Sequence, residues 1–344
     1  MRIAILYYRN SRDSLAPSGD LIYLLNLSRG LVNRGHEAEI LGVFGRPTKF
    51  FRRWDARFKR LIYSTYMLAK ASKLNAFDVV LFAEPIYPQN MLLLRYSELW
   101  TKAHIILYVN YPRLRSMVYY MPIRNKFPAL IVGENARPFA ETIATSVRLV
   151  SPGIDLTKWY PLTLDKKWDL LYIGRLDQER GVLLLLQAMK LLKSSGSPLK
   201  LKIIHPPSVK DKLYGKYIQE NGLYNVDMEE AIITDHLSVY SSARVFVYPG
   251  ISYNHVLDFP MTILEASACG LPVVCTSLYR HVELPNIIFT EPDTRSLASA
   301  LLQADSAWNK ERRDQTLAVI HERYSLHSMS SMAESFFNEV IENR

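Results

Sequence analysis

Residues 258–274 read DFPMTILEASACGLPVV. Pro260 fits the first position of a helix, because its fixed φ suits a first turn and its missing N–H is one that a helix start leaves unpaired. Small and apolar residues then run to Gly270, which ends the helix, and Leu271 to Cys275 read as a short buried strand. A helix followed at once by a buried strand is part of a strand–helix–strand unit. One side chain departs from the burial pattern. Glu265 sits among Ile263, Leu264, Ala266 and Ala268, which leave it little solvated face.

The alternation continues in both directions. Upstream come WDLLYIG, LKLKIIH and ARVFVYP, with helical patterns between most of them, and the first half repeats the scheme with RIAILYY, a helix over Gly19 to Arg34, AEILGVF, FDVVLFA and HIILYVN. Such a pattern predicts an α/β chain of parallel sheets with helices on both faces. A length of 344 residues exceeds what one core usually organises, so two doubly wound domains in tandem are expected. Pro152, Gly153 and Pro161 interrupt both periodicities in SPGIDLTKWYPLTLDKKW, which places the boundary near residue 155. The predicted domains are therefore 1–155 and 156–325. After about residue 293 the chain reads as helices, and 326–344 is expected to form a terminal helix that packs back across the junction.

Composition excludes several classes. With 49% hydrophobic and 22% charged residues the chain is globular. The apolar run Ile3 to Tyr8 is too short for a signal peptide, and no apolar stretch reaches the 18 residues or so that a membrane span needs. Cys269 and Cys275 form no disulfide framework, which fits a reducing cytoplasm. The eight histidines show no ligand spacing, so no metal site is expected; His255 is a loop residue. The net charge of +9 is unevenly divided: residues 1–150 hold 22 Lys and Arg against 10 Asp and Glu, and the rest hold 20 against 23.

Much of that excess lies in RPTKFFRRWDARFKRLIYSTYMLAK, where seven cations stand between Arg46 and Arg60 against Asp55 alone. Phe50, Phe51, Trp54, Phe58, Leu61 and Ile62 recur at helical spacing beside them. Arg52, Arg53, Trp54 and Arg57 are thus expected to meet an anionic membrane surface, from the cytoplasmic side and peripherally, while no motif points to nucleic acid. YPRLRSMVYYMPIRNKF is a second basic and aromatic segment that would enlarge the same face. The plainer alternative is that the stripe is the core side of an ordinary domain helix and the basic residues are simply solvated.

In doubly wound sheets ligands bind beyond the carboxyl ends of the strands. There the chain places IGRLDQERG, in which Gly174 permits a tight exit and Arg175 and Arg180 bracket a loop just before a helix near Gly181. Two guanidiniums and a helix start suit a diphosphate, although Arg180 could instead pair with Asp177 or Glu179. Behind Pro260, the amides of Met261, Thr262 and Ile263 would point out of the helix start toward the same place. A carboxylate at Glu265 can accept two hydrogen bonds from a vicinal diol, as a ribose offers; a surface carboxylate paired with a base is the plainer alternative.

The order SPGID, GRLDQERG, DFPMTILEASACGLPVV resembles the second domain of the retaining nucleotide-sugar glycosyltransferases of family 4, which have the GT-B fold of two Rossmann-like domains facing a central cleft. Those proteins carry an N-G-I-D-like turn, a G-R-L-x-x-x-K-G loop, and an E-G-F-G-x-x-x-x-E helix followed by A-x-A-x-G-x-P-V-V. The resemblance covers most of 150–290 and extends more weakly to RIAILYY, the Ser18-Gly19 loop and RGHEAEI. It implies that Arg175 and Arg180 hold a donor diphosphate, that Glu265 binds the ribose, that the amides near Met261 and Thr262 face the diphosphate and sugar, and that Gly19 lets a first-domain loop approach the donor. It further implies a nucleoside-diphosphate sugar as donor, a glycan or lipid-linked acceptor, no other cofactor, and arginines in place of a divalent cation.

Three positions depart from the family. Its first Glu falls at Leu257, with Asp258 beside it, so Asp258 either supplies the missing carboxylate or caps the helix. Asn110 in VNYP stands where the family often has His, and an amide cannot transfer protons near neutral pH. His205, Pro206 and Pro207 replace a glycine-rich turn near the base slot. Asp258 and Asn110 are the candidate catalytic residues. Their departures leave open a second class, a donor-binding pseudoenzyme or partner subunit, and a third, an epimerase on the same fold, which the arginine loop disfavours.

Overall fold

The computed structural model describes residues 1–7, 18–42, 73–83, 94–99, 101–110, 124–208, 210–253 and 258–343. Arg52, Arg53, Trp54 and Arg57 lie outside the described residues with the rest of their basic segment, as do His255, Leu257 and most of the second basic segment. The chain divides into two units, Met1–Gly153 with Leu326–Arg344, and Ile154–Ser325.

The first unit holds β1 (Arg2–Tyr7), α1 (Gly19–Asn33), β2 (Glu37–Gly42), β3 (Val79–Ala83), β4 (His104–Val109), β5 (Ala129–Ile131), α2 (Arg137–Ile143) and β6 (Val147–Leu149). The strands form one parallel sheet in the order β2-β1-β3-β4-β5-β6. Ile3, Ala4 and Ile5 are fully buried, as strands covered on both faces must be. Ser18 caps α1, its hydroxyl accepting from the Leu21 amide at 3.3 Å.

The final helix, Leu326–Glu342, belongs to this first unit and packs on α1. Met329, Ala333, Phe336 and Phe337 on it are at most 1% exposed. Glu334 accepts from Arg34 Nε at 2.6 Å and lies 2.9 Å from His36 Nε2, while Glu339 pairs with Arg148.

The second unit holds β7 (Trp168–Ile173), α3 (Val182–Ser194), β8 (Leu201–His205), α4 (Asp211–Glu220), β9 (Val226–Glu230), α5 (His236–Ser241), β10 (Ala243–Tyr248), α6 (Met261–Ala268), β11 (Val273–Thr276), β12 (Ile287–Thr290), α7 (Thr294–Gln303) and α8 (Lys310–Arg323). Its sheet is also parallel, in the order β12-β11-β10-β7-β8-β9. Counted from its own first strand this is 6-5-4-1-2-3, the dinucleotide-binding order, whose direction reverses between β7 and β10. On one face Leu185, Leu186 and Met189 of α3 and Leu297 and Leu301 of α7 pack with Leu170, Tyr172, Val245 and Val247 of the sheet. Cys269 and Cys275 are free and buried. Among the described residues no helix is long and apolar enough to cross a membrane.

Candidate functional site

The loops after β7 and β10 meet where the strand order reverses. Leaving β7, the Tyr172 hydroxyl donates to the Arg175 carbonyl at 2.7 Å, and Leu176, 1% exposed, anchors the loop. Arg175 is half exposed, with Nε 3.3 Å from Asp177 Oδ2. A short turn, Gln178–Arg180, leads to Gly181 at φ 69°, which caps α3. The Ile251 amide, in the loop after β10, donates to the Glu179 carbonyl at 2.9 Å. A Cβ at Gly181 would stand 1.8 Å from the Pro249 carbonyl oxygen, so only glycine lets the two loops lie this close. Gly181→Ala is expected to destabilise the protein by at least about 2 kcal/mol, from left-handed strain and a backbone collision together. Urea unfolding monitored by fluorescence checks this, and an unaltered midpoint would refute the close approach.

Arg180 points to the end of β10. Its Nη1 donates to the Tyr248 hydroxyl at 2.8 Å and its guanidinium carbon lies 5.8 Å from the Tyr248 ring centre. Its Nε is buried with no hydrogen-bond partner among the described residues. Burial pushes the Tyr248 phenol above its ordinary range, with Arg180 acting in the opposite sense, so it stays protonated and can accept from the cation. The alternative in which Arg180 pairs with Asp177 or Glu179 is not what the hydrogen bonds show: Arg175 takes Asp177, and Arg180 takes a phenol.

The start of α6 differs in detail from the sequence reading. Pro260, at φ −65° and ψ 120°, precedes the helix as its cap, and the helix begins at Met261. The Ile263 amide donates to the Pro260 carbonyl at 3.1 Å, so the first turn closes on itself and Ile263 is not a free donor. Met261 is buried, and Thr262 Oγ1 is buried without a hydrogen-bond partner among the described residues. Asp258 is 1% exposed; its Oδ1 lies 3.3 Å from His281 Nε2, and its carbonyl accepts from that nitrogen at 2.7 Å.

Glu265 is 6% exposed and its Oε2 accepts from the Tyr240 hydroxyl at 2.9 Å. Tyr240 is itself fully buried, edge-on to Trp159 at 5.7 Å. Burial pushes the Glu265 carboxyl up to about 7, with the Tyr240 hydrogen bond opposing the shift. A carboxylate held this far from water is destabilising by itself, which makes its presence on an otherwise apolar helix informative.

In the first unit, Gly19 opens α1, with Asp20 behind it. Asn110, just past β4 and 8% exposed, donates its amide to Asp20 Oδ1 at 2.5 Å, and the Tyr108 hydroxyl donates to the same oxygen at 3.3 Å. Gly19 and Asn110 are thus gathered at the carboxyl ends of β1 and β4 by Asp20.

Within the second unit the structure gathers Gly174, Arg175 and Arg180 on one loop, and Asp258, Met261, Thr262 and Glu265 at and along α6. The residues that sequence reading missed are Tyr248, Tyr240, His281 and Asp20, the partners of the ones it named. A tyrosine ending an apolar strand carries no local sign of a partner 68 positions away. Asp20 had the visible signal of an acidic residue in a helix first turn.

Residues 167–305 match the family described as Glycosyl transferases group 1. The chain is similar to a D-inositol 3-phosphate glycosyltransferase of Arthrobacter sp. (strain FB24), 29% identical over 178 residues covering 42% of this chain and 40% of that one. It is also similar to the O-antigen chain mannosyltransferase B of Escherichia coli, 27% identical over 153 residues, 41% of this chain and 38% of that one. The match thus spans about two fifths of these relatives' length. A glycosyltransferase from Rickettsia africae ESF-5 superposes over 100% of both chains with a TM-score of 0.75 at 15% identity. The lipopolysaccharide outer core galactosyltransferase WaaB, in its apo form, covers 98% of this chain and 100% of that one with a TM-score of 0.69 at 15% identity. At such identities the likeness is one of fold, and with the two six-stranded parallel sheets it gives this chain the GT-B fold.

Proposed function

We propose, from a second unit whose residues 167–305 match the group 1 glycosyl transferases, that the chain moves a sugar from a nucleoside-diphosphate sugar to a glycan or lipid-linked acceptor. The observation that carries the reading is Arg180, set by Tyr248 at the point where the order of the second sheet reverses. Arg175 and Arg180 would hold the diphosphate and Glu265 the ribose diol, with Met261 and Thr262 offering amides from the helix start.

The reaction follows with retention and without a metal ion. The bond from the anomeric carbon to the diphosphate oxygen breaks as the acceptor oxygen bonds to that carbon, and the acceptor's proton passes to a donor phosphate oxygen. The two guanidiniums stabilise the charge that grows on the leaving diphosphate. Asn110, an amide that cannot take a proton, would orient a hydroxyl through its oxygen while Asp20 holds its nitrogen.

A second reading, donor binding without transfer, is favoured by one observation. Asp258 is turned inward onto His281, which suits a structural carboxylate more than one facing a sugar. A panel of uridine, guanosine and adenosine diphosphate sugars separates the two. The expected result is a raised melting temperature with at least one donor, because a ligand that binds only the folded state stabilises it, together with release of its diphosphate when acceptors are supplied. Stabilisation without release across all acceptors would support the second reading. No stabilisation by any donor would overturn both.

A further inference from the structure

We infer that Tyr248 is the positioning residue that sets how this chain grips the terminal phosphate of a nucleoside diphosphate, acting through Arg180. The inference rests on the reading just given, that Arg180 meets the donor diphosphate.

An arginine side chain is long, and holding it in one rotamer costs conformational entropy that is charged against binding unless the protein has fixed it beforehand. Here one tyrosine fixes it. The Tyr248 hydroxyl takes Nη1 at 2.8 Å, and the guanidinium carbon lies 5.8 Å from the centre of the same ring. Of the five N–H groups that a guanidinium carries, one is thereby used to aim the rest. Nε is buried without a hydrogen-bond partner among the described residues, a donor in want of an acceptor on the loop that the proposed function gives to the diphosphate.

Tyr248 can aim Arg180 only if it is itself held. Its ring stands edge-on to Tyr279 at 5.1 Å and 84°, and Tyr279 stands edge-on to Tyr253 at 5.5 Å. Tyr248 is 1% exposed and Tyr279 fully buried. Gly250 makes room for this stack, since a Cβ there would come within 2.9 Å of the Tyr279 ring. The phenol is therefore anchored by the loop after β11, the cation by the phenol, and the loop after β7 by the Glu179–Ile251 hydrogen bond at 2.9 Å. Tyr248, at the end of β10, thus joins the loop after β7 through its hydroxyl and the loop after β11 through its ring.

This arrangement makes a prediction that a purely structural tyrosine does not. A nucleoside monophosphate lacks the β-phosphate that Arg180 is inferred to hold, so its binding should not depend on Tyr248. Uridine, guanosine and adenosine diphosphates and their monophosphates are titrated calorimetrically into the full chain, and the best-binding base is carried forward. In Tyr248→Phe, which keeps the ring and its stacking, the diphosphate dissociation constant is expected to rise about tenfold, the scale of one hydrogen bond to a charged group, while the monophosphate constant changes less than about twofold. Adding Tyr248→Phe to Arg180→Ala is expected to weaken the diphosphate no further, because the tyrosine acts through the arginine.

Equal losses for the two nucleotides, an unchanged diphosphate constant, or full additivity in the double variant would each overturn the inference. Should Tyr248→Phe lower the melting temperature, Tyr279→Phe, which leaves the Arg180 partner in place, serves as the comparison. It must then leave the ratio of the two constants unaltered, and a ratio shifted as far as in Tyr248→Phe would overturn the inference too. If no nucleoside diphosphate binds the unaltered chain, the proposed function fails first, and that result is distinct from the others.

Discussion

Arg180→Ala is expected to lower sugar transfer, or donor hydrolysis where no acceptor is known, by about a hundredfold, the scale on which loss of one preorganised donor to a growing negative charge is felt. The side chain is not free to be replaced by a neighbour. Arg175 is half exposed beside Asp177, while Arg180 is seated against Tyr248 at the reversal of the strand order. Arg180→Lys should recover only part of the loss, because an ammonium keeps the charge but not the planar fork. Steady-state rates with the donor found by thermal shift measure this, and a rate within a factor of two of the unaltered chain would remove Arg180 from the chemistry.

Glu265→Gln should separate stability from binding. The carboxyl is pushed up to about 7 from an ordinary 4.5, first by burial. Below pH 4.5 both folded and unfolded chains hold the proton and the group contributes no pH dependence. Between 4.5 and about 7 the folded chain keeps a proton that the unfolded chain releases, so stability falls as pH rises through that window. Above it the ionised group costs about 3 kcal/mol by linkage. Glutamine cannot ionise and can still accept from the Tyr240 hydroxyl. Urea melts at pH 5, 6, 7 and 8 should therefore show a flatter profile for the variant, with stability at pH 8 no lower than that of the parent. Donor affinity should nonetheless fall more than about tenfold, since an amide cannot accept two hydrogen bonds from a diol as a carboxylate does. A flattened profile with unchanged donor affinity would leave Glu265 a structural residue.

These two side chains also mark how far the sequence could be read. The long strands β1, β4, β7 and β10 were legible because six-residue stretches with five apolar residues each have few alternatives in an α/β chain. The helix at Gly19–Asn33 was legible as a helical pattern between two strand patterns, while its Ser18 cap came only with the structure. β5 and β6 were not, being three residues each, too short to show a period. β9, VDMEE, hides its strand character because it lies at the sheet edge, where acidic side chains are solvated and two of them, Asp227 and Glu229, meet Lys202 at 2.7 and 2.5 Å. At the candidate site, Arg175 and Arg180 were visible as residue types in the loop after β7, and Glu265 as a lone carboxylate on the helix that became α6. What the local sequence does not carry is partnership: that Arg180 takes a phenol and that Asp258 is drawn to His281 both depend on residues that only the fold makes neighbours.

The final helix has a consequence for the order of assembly. The first unit begins at Met1 but includes Leu326–Arg344, and Arg34 and Glu334 close a loop of 300 positions. Chain emerges from the ribosome in sequence, and domains fold as their residues become available. The second unit, continuous from Ile154 to Ser325, is therefore complete while the first still lacks the helix that carries Phe336 and Phe337 into its core. The residues of the second unit thus separate the two stretches that build the first, and the apolar side of α1 waits uncovered until the later stretch is made.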